Sequence, residues 1–165
     1  MKNLEKFTLK NNSSHDSIKK DIFLDLVKIG QTRSVYGAVI GKSNDVIELT
    51  SNIVHKASST TARFFTRVVL YDNAKILFKG HIKILDGISG CDSFLSLKVL
   101  LLGELCEVVA SPILEIENND VKCSHSVSIS RPSEEELFYL MSRGMSRKSA
   151  TSLIAKGFLN YSKNA

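Results

Sequence analysis

Short apolar runs separated by turn-forming residues dominate the first 130 positions of the chain. Clusters of Asn, Asp, Gly and Ser recur at intervals of roughly 14 to 16 residues between positions 43 and 120. The runs between them include 46–49, 64–70, 76–84 and 95–102, which are rich in β-branched and aromatic residues and contain no proline. This pattern predicts a succession of short β-strands. It fits either a β-solenoid or an antiparallel sandwich, because periodicity alone does not separate the two.

The segment 17–29 supports two interpretations. Its apolar residues recur at intervals of three and four, as in an amphipathic helix, at Ile18, Ile22, Leu26 and Ile29. The run 21–27 is equally compatible with a strand. The residue pattern leaves both open.

Strong helix signals follow position 132. Pro132 blocks continuation from upstream, and Ser133 with Glu136 forms an S-x-x-E capping box. An apolar stripe then appears at helical spacing, at Leu137, Leu140 and Met141. Gly144 supplies a left-handed stop, so the pattern predicts one short helix.

A second helix is predicted directly afterwards, with Ser146 as its N-cap. Its apolar stripe comprises Ala150, Leu153, Ile154 and, near the end, Phe158. Lys156-Gly157 is expected to close it. Two helices with a short glycine-containing joint make a helical hairpin.

A cysteine and a histidine lie two positions apart in the last predicted strand. Strand residues alternate between faces, so Cys123 and His125 leave the same face, roughly 7 Å apart at Cα. That separation suits two ligands of one metal or cluster, or a nucleophile and its base. Considered alone, the pair is more often structural, because two soft ligands do not complete a tetrahedral site.

Composition narrows the functional classes. The chain has 165 residues, 43% of them hydrophobic, which is enough for one domain with a core. No apolar run reaches the roughly 18 residues of a membrane helix, and the N-terminus lacks an apolar signal region, so a cytoplasmic protein without membrane contact is expected. Three cysteines without metal-site spacing predict reduced thiols.

Charge and motifs narrow the functional classes further. The net charge is +5, but the basic residues are scattered, which argues against a nucleic-acid partner and favours a solvated surface. No nucleotide-binding or zinc-protease motif occurs, so any energy input must come from a partner. His55 and His81 lie in strand-like runs without ligand-spaced neighbours and are predicted to be surface or hydrogen-bonded residues.

Four pieces of sequence in a fixed order resemble one known family. They are P-x-L-E-I at 112–116, D-V-K-C-S-H at 120–125, E-E-x-L-F-Y-L-x-S-R-G at 134–144 and A-x-x-L-I-x-x-G-F at 150–158. Together they resemble the C-terminal part of the SufB/SufD family over about residues 78–158. The resemblance implies a mainly β fold, a right-handed parallel β-helix with a short C-terminal helical hairpin. It also favours a strand at 17–29.

The same resemblance implies a function. The family forms the non-enzymatic scaffold of the SufBCD machinery, which assembles iron–sulfur clusters. K-C-S-H and L-E-I are similar to SufD, whereas the B-like pattern has a cysteine at the position of Ile116 and E-H-E-A-T at 124–128. The chain departs from the family in lacking its N-terminal helical region and in carrying Ser126 after His125. The expected division is a β-helix core at 1–130 and a helical segment at 131–165.

Partners and site residues follow from the resemblance as expectations. A SufB-like subunit, a SufC-like ATPase or a second copy of the chain would be the partner. The metal or cluster candidates are Cys123 and His125, and the subunit-contact candidates are Val121, Cys123, His125 and Val127. The ATPase-docking candidates are Leu137, Phe138, Tyr139, Arg143 and Gly144. No cofactor is expected to bind tightly to the chain alone, and a transient iron–sulfur cluster or iron is expected in the complex.

Three alternatives remain at this point. Cys123 could be the nucleophile of a hydrolase or transferase with His125 as its base. The chain could be a truncated paralogue that associates with itself and has no role in cluster building. It could also be a basic nucleic-acid-binding module.

Overall fold

The computed structural model describes residues 2–10 and 17–160, which form nine strands followed by two helices. The strands are β1 (Lys2–Lys10), β2 (Ile18–Leu26), β3 (Thr32–Gly41), β4 (Val46–His55), β5 (Thr61–Leu70), β6 (Lys75–Ile84), β7 (Cys91–Leu101), β8 (Glu107–Ile116) and β9 (Val121–Ser130). The helices are α1 (Glu134–Ser142) and α2 (Arg147–Asn160).

The strands alternate between two parallel sheets. The first sheet has the order β1-β3-β5-β7-β9 and the second the order β2-β4-β6-β8. Pairing joins residues about one solenoid turn apart, for example Thr32 with Thr61 and Lys75 with Glu107. The prediction of a parallel β-solenoid ending in two helices is therefore confirmed, and the antiparallel sandwich is excluded. The ambiguous segment 17–29 contains β2, as the resemblance favoured.

The core lies between the sheets and is built by stacking equivalent positions of successive turns. Leu24, Ile53 and Ile82 occupy one row, and all three are fully buried. Phe64 of the first sheet and Phe78 of the second stack inside the core with their ring centroids 6.3 Å apart. Such rows require inward and outward residues to alternate along each strand, which is the pattern that β3 to β6 display.

The turn residues of the sequence also stack, in two sets on opposite sides of the solenoid. On one side Ser43 and Asp72 have positive φ, and the Ser43 N–H donates to Asp72 Oδ2 at 2.8 Å. Gly103 continues this set, and a Cβ there would lie 2.0 Å from the Asp72 carbonyl oxygen. On the other side the Ser59 N–H donates to the Ser89 carbonyl at 2.8 Å. The spacing seen in the sequence is therefore half of a solenoid turn.

The helical hairpin follows most of its predicted signals. The Ser133–Glu136 capping box is present, and Gly144 has a φ of 88° just after α1. The predicted end of the second helix at Lys156-Gly157 is wrong, because α2 continues to Asn160. The reason is tertiary: an Arg67 amino group donates to the Phe158 carbonyl at 2.7 Å, and the guanidinium lies over the Phe158 ring.

α2 attaches the hairpin to the outer face of the first sheet. Val69 of β5, Leu100 of β7 and Ala155 of α2 form a small buried cluster that is separate from the solenoid core. The strands end at Ser130 and α1 begins at Glu134, on either side of the predicted boundary at 130/131. A division into separate domains stays a prediction. Neither helix of the described residues has the length and apolar character that crossing a membrane requires.

Candidate functional site

The last turn of the solenoid is an open end. Among the described residues, β8 pairs only with β6 and β9 only with β7, so each presents one free strand edge. Such an edge carries unpaired backbone N–H and C=O groups, which favour pairing with another chain. Apolar side chains on these strands are exposed, among them Ile116, Val127 and Ile129. The open end therefore has both hydrogen-bonding and apolar groups available to a partner.

One row of β9 contains all four predicted subunit-contact residues. Val121, Cys123, His125 and Val127 pair in register with Cys91, Ser93, Leu95 and Leu97, which are buried on β7. Val121 and Cys123 still pack against the core, whereas His125 and Val127 are exposed because no strand covers them. The cysteine and the histidine thus share a row that begins in the core and ends in solvent.

The chemistry of Cys123 is set by its surroundings. The side chain is half-buried, and this burial, with a smaller contribution from the Asp92 carboxylate, raises the pKa of the thiol to about 11. The reactive form of cysteine is the thiolate, and nucleophilic cysteines have pKa values below that of the free side chain. The raised pKa therefore argues against Cys123 as the nucleophile of a hydrolase or transferase.

Thiol and imidazole are nevertheless suitable donors for iron or an iron–sulfur species. In the described part of the chain, no group of three or more His, Cys, Asp or Glu residues could hold a metal ion. The other two cysteines are engaged elsewhere: Cys91 Sγ lies 3.3 Å from Thr60 Oγ1, and Cys106 Sγ points to the Asp72 carbonyl. Cys123 and His125 thus offer two ligands of a set that another molecule would have to complete.

The second candidate surface lies on α1 and its C-terminal end. Phe138 is 75% exposed and Tyr139 58%, and the Arg143 guanidinium lies 5.4 Å from the centre of the Tyr139 ring. Gly144 lets the chain turn back directly beside them. Leu137 must be removed from the predicted docking set. It is only 4% exposed because it points inward on the helix, so it is a core residue.

The comparison with protein families identifies the family of the chain. The family model described as "SUF system FeS cluster assembly, SufBD core domain" matches residues 9–158. The chain belongs to the SufBD core family. The resemblance carried by the four C-terminal sequence pieces is confirmed, and the match extends it upstream through nearly the whole solenoid.

Curated relatives of this SufBD-family chain agree with the D-like features. It is 33% identical over 79% of its length to the iron-sulfur cluster assembly protein SufD of Bacillus subtilis, covering 29% of that protein. It is 31% identical over 70% of its length to SufD of Escherichia coli, covering 27%. It is 30% identical over 79% of its length to a SufBD family protein of Staphylococcus saprophyticus, covering 27%. The chain thus spans less than a third of the length of these relatives.

Sequence reasoning missed the residues that act from a neighbouring turn. Asp92, which adds to the rise that burial causes in the pKa of the Cys123 thiol, lies 31 positions upstream and pairs with Lys122. Arg67, which holds the end of α2, lies far from Phe158 in the sequence. The turn spacing contained the signal for Asp92, because two intervals bring a residue back to the same side of the solenoid. No local signal indicated Arg67.

Proposed function

We propose that the chain is a SufD-like scaffold subunit of iron–sulfur cluster assembly, cytoplasmic and without catalytic activity of its own. It would work with a SufB-like subunit and a SufC-like ATPase. The observation that carries the proposal is the open end of the solenoid, where Cys123 and His125 occupy one row of a strand with one free edge. The family match and the names of the relatives support the process.

The subunit contact would form on β8 and β9. A partner strand at either edge would satisfy backbone groups and cover the apolar residues that are now exposed. Val121, Cys123, His125 and Val127 would then face the partner. A second copy of the chain could use the same surface, but a homodimer would offer only two copies of the Cys123/His125 pair. A SufB-like partner would add different ligands, so the heterodimer suits cluster binding better.

The raised pKa of Cys123 explains why a partner would be needed. A thiol must lose its proton to bind iron, and at neutral pH this costs free energy when its pKa is near 11. The positive charge of iron and further ligands would offset that cost only when they are held in place. The chain alone is therefore proposed to bind no cofactor tightly, while the complex binds a transient cluster or iron as cargo.

Anaerobic reconstitution with iron and sulfide tests this proposal. We expect the wild-type chain to take up little iron alone and considerably more in complex with a SufB-like subunit. Cys123→Ser and His125→Ala should each reduce uptake by the complex about tenfold, as expected for loss of a ligand or its close partner. Visible absorbance and iron content are the measurements.

Cys106→Ser is the matched control, because it removes a partly exposed thiol that is not on β9 and points to the Asp72 carbonyl. It should leave uptake unchanged. Complex formation is measured in parallel by light scattering, so that loss of ligand and loss of contact are distinguished. If both the Cys123 and His125 variants assemble and load as well as wild type, the pair is structural and the site assignment fails.

The exposed residues of α1 are proposed to dock the SufC-like ATPase. Phe138→Ser should weaken ATPase binding by about tenfold or more, since exposed aromatic residues are frequent interface anchors. Its melting temperature should stay within a few degrees of wild type, as is usual for surface changes. Pull-down and thermal unfolding are the measurements. The buried neighbour Leu137→Ala is the control and should mainly lower stability; unchanged ATPase binding by Phe138→Ser would refute the docking surface.

A further inference from the structure

A groove lies beside α2 on the outer face of the first sheet, away from both surfaces discussed above. α2 packs on β5 and β7 through Val69 and Leu100. The sheet continues past β5 to β3 and β1, and residues of these two strands line the groove together with residues of α2. The space between the helix side and these strands has a volume of about 350 Å³. That size falls at the lower end of the roughly 300–1,000 Å³ of small-molecule sites.

The groove has an apolar floor and a polar rim. Ala38 and Ile40 of β3 form the floor, together with Ala155 and Leu159 of α2. Thr8, Tyr71 and Ser152, each of which carries a hydroxyl group, also line the groove. The Tyr71 phenol is a hydrogen-bond donor at neutral pH, and burial raises its pKa further. An apolar floor with a few polar groups is the usual design of a small-molecule site.

All the charged residues that line the groove are positive. Lys10, Lys42 and Lys156 line it, and no Asp or Glu is among its lining residues. None of the three ammonium groups forms an ion pair with a carboxylate of residues 4–10 or 17–160. Three lysines elsewhere on the sheets differ: Lys56, Lys75 and Lys83 are each paired with a carboxylate. The groove thus collects cations whose charge the described residues do not balance.

The position of one lysine is defined by the fold. The Tyr71 N–H donates to the Gly41 carbonyl at 2.9 Å, which fixes the loop after β5 against the end of β3. Lys42 follows directly and places its ammonium 5.7 Å from the centre of the Tyr71 ring. A cation held over an aromatic face is partly oriented before any ligand arrives.

We infer that this groove is a binding site for a phosphate ester with a small apolar body. A phosphate group carries up to two negative charges and three strong acceptor oxygens, which matches several ammonium and hydroxyl donors at once. The apolar floor would contact the body of the ester. The residues of this groove differ from those of the cluster and docking surfaces, so a negative result here would not affect the proposed function.

Calorimetric titration of the full chain with phenyl phosphate, inorganic phosphate and phenol tests the inference. Phenyl phosphate should bind more tightly than inorganic phosphate because of the apolar floor, and phenol alone should bind more weakly than either. The double variant Lys42→Gln/Lys156→Gln should weaken phenyl phosphate binding by about tenfold or more. Binding should also weaken as salt concentration rises.

Lys19→Gln/Lys79→Gln is the matched control. It also removes two positive charges, but from the exposed face of the second sheet, and it should leave phenyl phosphate binding unchanged. Thermal unfolding confirms that both double variants remain folded. Equal weakening by the control, or a single-stranded oligonucleotide that binds more tightly than phenyl phosphate, would show general attraction of anions to a basic chain. Either result, or no binding of phenyl phosphate, overturns the inference.

Discussion

Replacing Phe64 by alanine should lower the free energy of unfolding by about 3 to 5 kcal/mol. The ring is fully buried on β5, in the middle of the first sheet, and it stacks on Phe78 across the core. Its row also contains Val35 and Leu95, so the lost volume would lie between two occupied turns that cannot easily close the gap. Urea denaturation followed by far-ultraviolet circular dichroism measures the change.

Phe23→Ala is the matched control for this prediction. Phe23 is also a strand phenylalanine, but it is 66% exposed on the outer face of β2. Its loss should change the free energy of unfolding by no more than about 0.5 kcal/mol. A similar loss in both variants would mean that the interior of the solenoid is not tightly packed around Phe64.

The sequence predicts the strands of this fold better than it predicts their pairing. Turn residues and β-branched runs fall where the structure has corners and strands, because each corner needs residues that tolerate unusual backbone angles. Ser43 and Asp72 both adopt positive φ at such corners. Parallel pairing joins residues one full turn apart, and the turn spacing gives that distance only once the fold is known to be a solenoid. The family resemblance therefore supplied the choice between solenoid and sandwich.

The candidate site was also predicted only in part. The alternation of strand residues is enough to place Cys123 and His125 in one row, and the register on β7 agrees. The pKa of the thiol could not be predicted, because it depends on burial and on Asp92 of the preceding turn. On α1, helical spacing identified an apolar set but not its orientation. Leu137 faces inward and Phe138 outward, and only the packing of the hairpin decides between them.

The structure also contains a buried histidine whose environment requires it to be neutral. His55 is fully buried, and its Nδ1 lies 2.7 Å from Thr60 Oγ1. The Thr60 hydroxyl donates to the Ala57 carbonyl at 2.9 Å, so it accepts a hydrogen bond from the protonated Nδ1 of His55. Nε2 has no partner in the described residues and carries no proton in this tautomer. Burial lowers the pKa of His55 to about 4, although the Asp92 carboxylate opposes this.

Acidification should therefore destabilise the protein between pH 6.5 and 4. The unfolded chain takes up a proton on His55 near pH 6.5, whereas the folded chain resists protonation until the pH approaches 4. The unfolded state thus binds more protons at this residue in this window, so the stability contributed by His55 falls as the pH falls and levels off below pH 4. The difference between the two pKa values corresponds to at most about 3 kcal/mol.

Urea denaturation at several pH values between 7 and 4 measures this loss against His55→Gln, which keeps a polar side chain but cannot titrate. The variant should be less stable at pH 7 and should lose about 3 kcal/mol less than the wild type on acidification. Carboxylates such as Glu115 and Glu134, whose pKa values are lowered by Lys83 and Arg147, titrate in both proteins and cancel in the comparison. Parallel curves for wild type and His55→Gln would mean that the buried imidazole does not control the acid sensitivity of the fold.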